Sequence, residues 1–386
     1  TATAARHRAH CLHVFIEGLY PNTQYYYRFT QGGTASPVGT ARTLAQPGAH
    51  HDALRLALTS CQEYSEGYFT AYRDLVAQRP DLVFHCGDYI YESASGAVRP
   101  LPFSWREATR LTHYRALYAL YRQDPDLRAA HAAAAWIVIW DDHEETNDYG
   151  PNQNIPSRYN SPMSVEDHRL RVIAGRKAFL EFMPLRASLE LHDGESREFY
   201  KRDVIGDLLE ISRLDVRSYR DRPVCSYPLD NEFTNCPETQ DNNRSMLGQA
   251  QEAWLYENFG TSGCTWNCLA QTTVMSPFDR EAGPAVKFET ESWDNYAANR
   301  KRIIDHVRVK AIPNAVSMGG NIHAFYAGLV SDTVNTSGCL DPAMTEVITT
   351  SISAGGGDHV RFNDVHGRLD ENPCIQFFDN RQRGYA

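Results

Sequence analysis

The chain opens with a period-two pattern. Leu12, Val14 and Ile16 are spaced by His13, Phe15 and Glu17, a spacing that predicts a strand. A turn at Gly18 leads to QYYYRFT (Gln24–Thr30), an aromatic-rich second strand, and Gly32 and Gly33 supply a further turn before a strand around Val38–Leu44. These elements amount to part of a β-sandwich, so the chain reads as starting inside a domain. QPGAHH (Gln46–His51) reads as a linker.

From Leu54 the texture changes to short apolar runs alternating with helical periodicity. LRLALTS (Leu54–Ser60), DLVFHCGD (Asp81–Asp88) and WIVIWDDHE (Trp136–Glu144) each read as a buried strand running into polar residues. Helical spacing is expected over 67–79, over 106–135 with Asp124 and Pro125 marking an interruption or a start, and over 166–182, 247–259 and 294–308. Further strands are expected at 197–203, 206–214, 266–275, 315–321 and 345–352. Strands alternating with helices predict an α/β domain.

Composition narrows the function classes. The 386 residues carry a formal net charge of −10, which argues against a general nucleic-acid binder needing a basic face. No stretch approaches the ~20 apolar residues of a membrane-spanning helix, so no transmembrane anchor is expected. Nine cysteines lack the spacing of a zinc ribbon and predict disulfides in an oxidising compartment, with an odd thiol left over. Cys225 with Cys236 is the first expected pair and Cys264 with Cys268 a second. No signal peptide is visible at Thr1; a leader, if one existed, is expected to have been removed. A secreted or periplasmic monomer is the resulting expectation.

The candidate chemistry sits at strand ends. One strand ends at Cys61, the second at Asp88 with Tyr91 just beyond, the third in the turn Asp141–Glu144, and the strand at 315–318 ends in Asn321 and His323. Ligands gather outside the carboxyl ends of strands in open α/β sheets, so four regions can deliver Cys, Asp, Tyr, His and Asn to one place. Singly each residue has a plainer role: Asp88 as a turn former, His323 as a core histidine, Cys61 as a disulfide partner. Jointly they describe a multinuclear metal site in which one carboxylate bridges two ions.

Several motifs resemble the PhoD-like alkaline phosphatase family of metallophosphatases: SCQ (Ser60–Gln62), HCGDYIYE (His85–Glu92), AAHAAAAWIVIWDDHE (Ala129–Glu144), GGNIHA (Gly319–Ala324), FMPLR (Phe182–Arg186), RSMLG (Arg244–Gly248), AQTTVM (Ala270–Met275) and SWDNYAANR (Ser292–Arg300). The resemblance covers roughly residues 54–386, and GDYIYE followed by WDDHE is its most specific part. It implies a two-sheet metallophosphatase α/β sandwich over 52–386, preceded by a partial fibronectin-III-like segment over 1–45. It implies a secreted phosphomonoesterase or phosphodiesterase that uses ferric iron and calcium to hydrolyse a small-molecule or lipid phosphate ester. Cys61, Asp88 and Tyr91 match the iron ligands, Asp88 also matching the metal bridge. Asp142 stands with the metal ligands, Asn147 matches a ligand on the calcium side, and Asn321 and His323 match the last motif. That motif usually reads Gly-Asp-x-His, so Asn321 brings a carbonyl oxygen without the charge. His143 is the candidate to protonate the leaving oxygen or orient the phosphate. Arg115 is a candidate phosphate clamp. The competing expectations are a phospholipase-D-like activity on lipid headgroups and a non-catalytic binding protein with a degenerate site.

Overall fold

The computed structural model describes residues 2–150, 163–185, 199–225, 232–281, 283–335, 338–356 and 369–386. Two sheets organise the chain after the linker. The first is parallel, built from β1 (Leu56–Thr59), β2 (Leu82–His85) and β3 (Ala135–Val138), with β2 in the centre. All of β2 is buried, as an apolar run enclosed on both faces should be. β3 is shorter than its apolar run, because after Val138 the chain leaves the sheet and carries Asp141 and Asp142 to the strand ends.

Helices α1 (Ala71–Gln78), α2 (Leu111–Tyr121), α3 (Pro125–Ala133) and α4 (Val165–Phe182) accompany this sheet, α1 packing on α3 and α2 on α4. The interruption at Asp124 proves to be a helix start. The Asp124 carboxylate accepts from the Asp126 and Leu127 N–H groups, and Pro125 fills the first position, where no intrahelical N–H bond is needed.

The second sheet contains β4 (Lys201–Ile205), β5 (Leu209–Arg213), β6 (Trp266–Ala270), β7 (Ala315–Gly319), β8 (Phe325–Val330), β9 (Met344–Ile348) and β10 (Ile375–Asp379). Its order is β10-β8-β9-β7-β6-β5-β4, with a parallel centre of β5, β6, β7 and β9 and antiparallel outer pairings. α5 (Gly248–Asn258) and α6 (Ala297–Val309) complete the alternation. The pattern along the chain did not foresee β8 or β10. In β8 the buried positions fall on Tyr326, Gly328 and Val330, so glycine interrupts the apolar signal. The expected strand at 197–203 begins outside the described residues and is observed as β4; Arg186 of the FMPLR motif also lies outside them.

The two sheets share one apolar core, which joins Leu58, Val83, Phe84 and Val138 to Ile211, Cys268, Ala270 and Met318. They are also stitched at their ends. Leu58 and Ala386 exchange backbone hydrogen bonds of 2.7 and 3.0 Å, and beyond β9 the Ile352 N–H donates to the Ser60 carbonyl at 2.9 Å. The C-terminal ends of β1 and β9 are therefore fixed side by side.

The first 45 residues contain less strand than their alternation suggests. Gln24–Tyr27 pairs antiparallel with Gly39–Arg42, and Thr30–Gln31 with Thr34–Ala35 around Gly32 and Gly33. Leu12–Ile16 is not a strand: it pairs with no strand among the described residues, and Leu12, Val14, Phe15 and Ile16 are exposed. The 46–51 segment lies on the 206–207 turn, with bonds from the Gly48 N–H to the Gly206 carbonyl and from the His51 N–H to Asp207.

Cys225 and Cys236 form the expected disulfide, and Cys339 pairs with Cys374. Cys264 and Cys268 are both free and buried, which corrects the second expected pair. Cys268 lies inside β6, and extended chain advances about 3.3 Å per residue, so it carries Cys268 away from Cys264.

Candidate metal centre

The strand-end clusters meet. The Cys61 Sγ lies 3.4 Å from Asp88 Oδ2, the Tyr91 hydroxyl 3.2 Å from the same oxygen, and His323 Nε2 3.2 Å from the Tyr91 hydroxyl. Cys61, Asp88 and His323 form one group able to hold a metal, and Asp88, Asp141 and Asp142 form another, so Asp88 belongs to both. A third group, Cys225, Cys236 and Glu238, contains the disulfide and offers no thiolate.

Local backbone geometry places these side chains. Cys61, Asp88, Asn321 and His323 all have positive φ, at 54, 55, 68 and 53°. Asp, Asn and to a lesser degree His tolerate the left-handed region; Cys enters it at a cost, and such strain gathers at functional positions. Two glycines let the strand ends approach. A Cβ on Gly87, at φ +104°, would stand 2.5 Å from the Asp141 Cβ, and one on Gly320 would collide with Ser60.

Glu144, a residue whose role its motif did not disclose, ties the ends together. Its carboxylate accepts from the backbone N–H groups of Asp88 (3.1 Å), Tyr89 (2.6 Å) and Asp141 (2.8 Å). Glu92 is a second such residue. Its Oε2 lies 2.6 Å from His143 Nδ1 and its Oε1 accepts from the Asn147 N–H at 2.9 Å. Burial opposes ionisation of Glu92, but His143 outweighs it and holds the carboxyl below the ordinary range. An ionised Glu92 can only accept, so His143 donates from Nδ1 and its Nε2 edge is left for a ligand. The His143 ring stacks on Tyr91 with centroids 4.1 Å apart. His323 is oriented in the same way: Nδ1 donates to the Gly355 carbonyl at 2.6 Å, leaving Nε2 as the donor atom on the cluster side.

Whether these residues suit a cation is answered by their charges. Burial lifts the Asp88 carboxyl far above its usual range, and Asp142, Asp141 and Glu144 add to this while His143 opposes it. Burial and then Asp88 raise the Cys61 thiol, and burial followed by Asp88 and Cys61 raises the Tyr91 phenol. Each group's ionisation hinders the others', and a multivalent cation among them removes that conflict. In addition, Asp141 Oδ2 is buried and has no hydrogen-bond partner among the described residues. A thiolate and a phenolate suit a ferric ion, and carboxylate and amide oxygens suit calcium, so the donor set fits both.

The remaining sequence candidates are placed as follows. Asp142 Oδ1 meets Arg217 at 3.1 Å and its Oδ2 accepts from the Asp148 N–H at 2.6 Å; burial opposes its ionisation, but Arg217 and His143 draw it down to about 2. The Asn147 amide nitrogen donates to the Asp148 carboxylate at 2.6 Å, and its carbonyl oxygen takes no part in that bond. Asn321 reaches Thr273 Oγ1 at 3.5 Å from the end of β7. Arg115 is not brought to the cluster. Its guanidinium forks onto Glu181 and reaches the His7 carbonyl at 2.6 Å, tying α2 to α4 and to the N-terminal segment. The pattern along the chain did not mark Arg217 or Thr272, both of which hold Asp141.

Comparison with known proteins accords with this geometry. A family model described as PhoD-like phosphatase matches residues 56–386, and one described as PhoD-like phosphatase, N-terminal domain, matches residues 1–45. Alkaline phosphatase D of Bacillus subtilis (strain 168) is 40% identical over 98% of this chain and 64% of its own length, so the chain spans a little under two thirds of that relative. The solved structure of PhoD superposes with a TM-score of 0.89 at 38% identity, over 99% of this chain and 72% of the other. A purple acid phosphatase, PPD1 from yellow lupin (Lupinus luteus) seeds, shares the fold at a TM-score of 0.51 and 12% identity, over 95% of this chain and 55% of its own. On the match across residues 56–386, the chain belongs to the PhoD-like phosphatase family.

Proposed function

We propose that this chain hydrolyses phosphate esters at a metal centre held by Cys61, Asp88, Tyr91 and His323 on one side and by Asp142, Asn147 and Asn321 on the other. The observation that carries the reading is the contact chain from Cys61 Sγ through Asp88 Oδ2 and the Tyr91 hydroxyl to His323 Nε2, with steps of 3.2–3.4 Å. Iron on the thiolate–phenolate side and calcium on the oxygen side follow from donor chemistry. The segment 1–45 is then an accessory to a catalytic unit at 52–386. The disulfides favour export to an oxidising compartment, and among the described residues no helix is long and apolar enough to cross a membrane.

Bound cations would supply polarisation of the phosphoryl oxygens and a hydroxide near neutral pH. Glu92 accepts from Nδ1 of His143, so a proton at Nε2 is carried in the cationic form of the ring. Burial lowers its basicity, but Glu92, Asp88 and Asp142 together raise its pKa well above the ordinary histidine value. A cationic imidazolium can orient an anionic phosphoryl group or protonate a departing alkoxide. Tyr91 keeps the His143 ring in place by stacking.

The test is elemental analysis together with hydrolysis of a simple monoester, a simple diester and a lipid diester, before and after chelation. The reading expects bound metal, loss of activity on its removal, and return on re-addition. Full activity in metal-free protein would overturn it. Asn321→Asp supplies the charge that the usual motif carries: a sharp rise in activity would mean that Asn321 weakens the site, and a fall that it is tuned to this site's own metals.

A further inference from the structure

We infer that Arg217 is a positioning residue for the metal centre: its buried guanidinium fixes which oxygens of Asp141 and Asp142 face the site. The inference rests on the metal reading above. Its basis is a group that no strand-end motif contains.

Arg217 follows β5 in a rigid turn. The Asp215 carboxylate accepts from the Arg217 and Ser218 N–H groups at 3.1 and 2.8 Å, and the Gln251 side chain bonds both the N–H and the carbonyl of Asp215, at 2.8 Å each. With the backbone held, the side chain runs inward to 1% exposure and crosses from the second sheet to the first. Its Nε bonds Asp141 Oδ1, its Nη2 bonds Asp142 Oδ1 at 3.1 Å and its Nη1 bonds Glu291 Oε2 at 2.6 Å. Arg220 shares that Glu291 oxygen at 2.6 Å.

Asp141 and Asp142 are consecutive, and consecutive side chains of an extended chain diverge. Here one guanidinium fork takes Oδ1 of each and turns both toward Asp88. Thr272 Oγ1 adds a second bond to Asp141 Oδ1 at 2.8 Å. The outcome is unequal use of the two oxygens: Asp141, which shares a metal-capable group with Asp88, has Oδ1 doubly bonded and Oδ2 buried with no hydrogen-bond partner among the described residues. Arg217 and Arg220 offset part of the charge of Asp141, Asp142 and Glu291 while Arg217 also sets the direction of the two aspartate carboxylates. A lysine ammonium is a point charge and cannot reproduce a planar fork over three acceptors.

Arg217→Lys separates orientation from charge. Metal affinity of the purified variant is measured by competition with a chromophoric chelator, alongside kcat and KM for one phosphate ester. The expected result is affinity weakened about 10- to 100-fold, as for loss of an orienting partner behind a ligand, with kcat reduced more than KM. Thr272→Val, which removes only the second bond to Asp141 and leaves Arg217 in place, is expected to weaken affinity less, with Thr272→Ser restoring it. Should folded Arg217→Lys, or Arg217→Gln if the first does not fold, bind metal as tightly as the parent, the inference is overturned while the functional reading stands. Absence of tightly bound metal in the parent protein overturns both.

Discussion

His323→Asn separates ligation from folding. At φ +53° histidine sits in a backbone region that is unfavourable for most L residues by about 1–2 kcal/mol, whereas asparagine enters it readily. The asparagine amide nitrogen stands near the place of Nδ1 and can keep the bond to the Gly355 carbonyl, now 2.6 Å long. The metal-stripped variant should therefore be as stable as the parent, or more stable by up to about 1 kcal/mol. The donor atom at Nε2, 3.2 Å from the Tyr91 hydroxyl, is lost. Loss of a ligand should exceed the 10- to 100-fold effect of losing an orienting partner, so affinity should fall at least ~100-fold, about 2.7 kcal/mol. The assay is paired: thermal unfolding of stripped protein and chelator competition on the loaded form. His323→Gln, which keeps a donor near Nε2 and gives up the Gly355 bond, should lose less affinity and more stability. If His323→Asn binds metal with parental affinity, His323 is not a ligand and the reasoning fails.

Gly87→Ala places a Cβ 2.5 Å from the Asp141 Cβ at a positive φ, so it should destabilise by roughly 1–3 kcal/mol and reduce bound metal, read by urea unfolding and elemental analysis. Arg171→Met removes a fully buried cation from Glu107, 2.8 Å away, and from the Tyr114 hydroxyl, 3.0 Å away; removing one member of this buried ion pair should cost about 3–5 kcal/mol, and a loss under ~1 kcal/mol would contradict the assignment. The Cys339–Cys374 bridge spans a sequence separation of 35, so Cys339→Ser with Cys374→Ser should lower stability by up to about 4 kcal/mol, measured by denaturant unfolding under non-reducing conditions.

The strand ends were legible because each couples an apolar run to a chemically distinctive residue. The meeting of Cys61, Asp88, Asp142 and His323 could be expected from those junctions taken together, since singly each has a plainer reading. Residues that act through the site's frame were not legible. Glu144 is part of an acidic turn, and nothing local to it reveals three backbone N–H partners from two strand ends. Arg217 sits in a stretch remote from every candidate motif, and its role exists only once the two sheets face each other. Arg115 illustrates the opposite error: a helical arginine near the motifs suggested a phosphate clamp, whereas Glu181, 66 positions away, closes its fork. Alternation misled at Leu12–Ile16, where the pattern pairs with no strand among the described residues.

The most direct measurement is the metal content of Asp88→Asn beside the parent protein, each assayed for phosphate-ester hydrolysis. Asp88 belongs to both metal-capable groups at the strand ends, and its neighbours Cys61 and Tyr91 lie 3.4 and 3.2 Å away. The account predicts metal in the parent, its loss from the variant, and loss of hydrolysis with it. Parental metal content and parental activity in a folded Asp88→Asn would contradict the claim that this centre performs the chemistry.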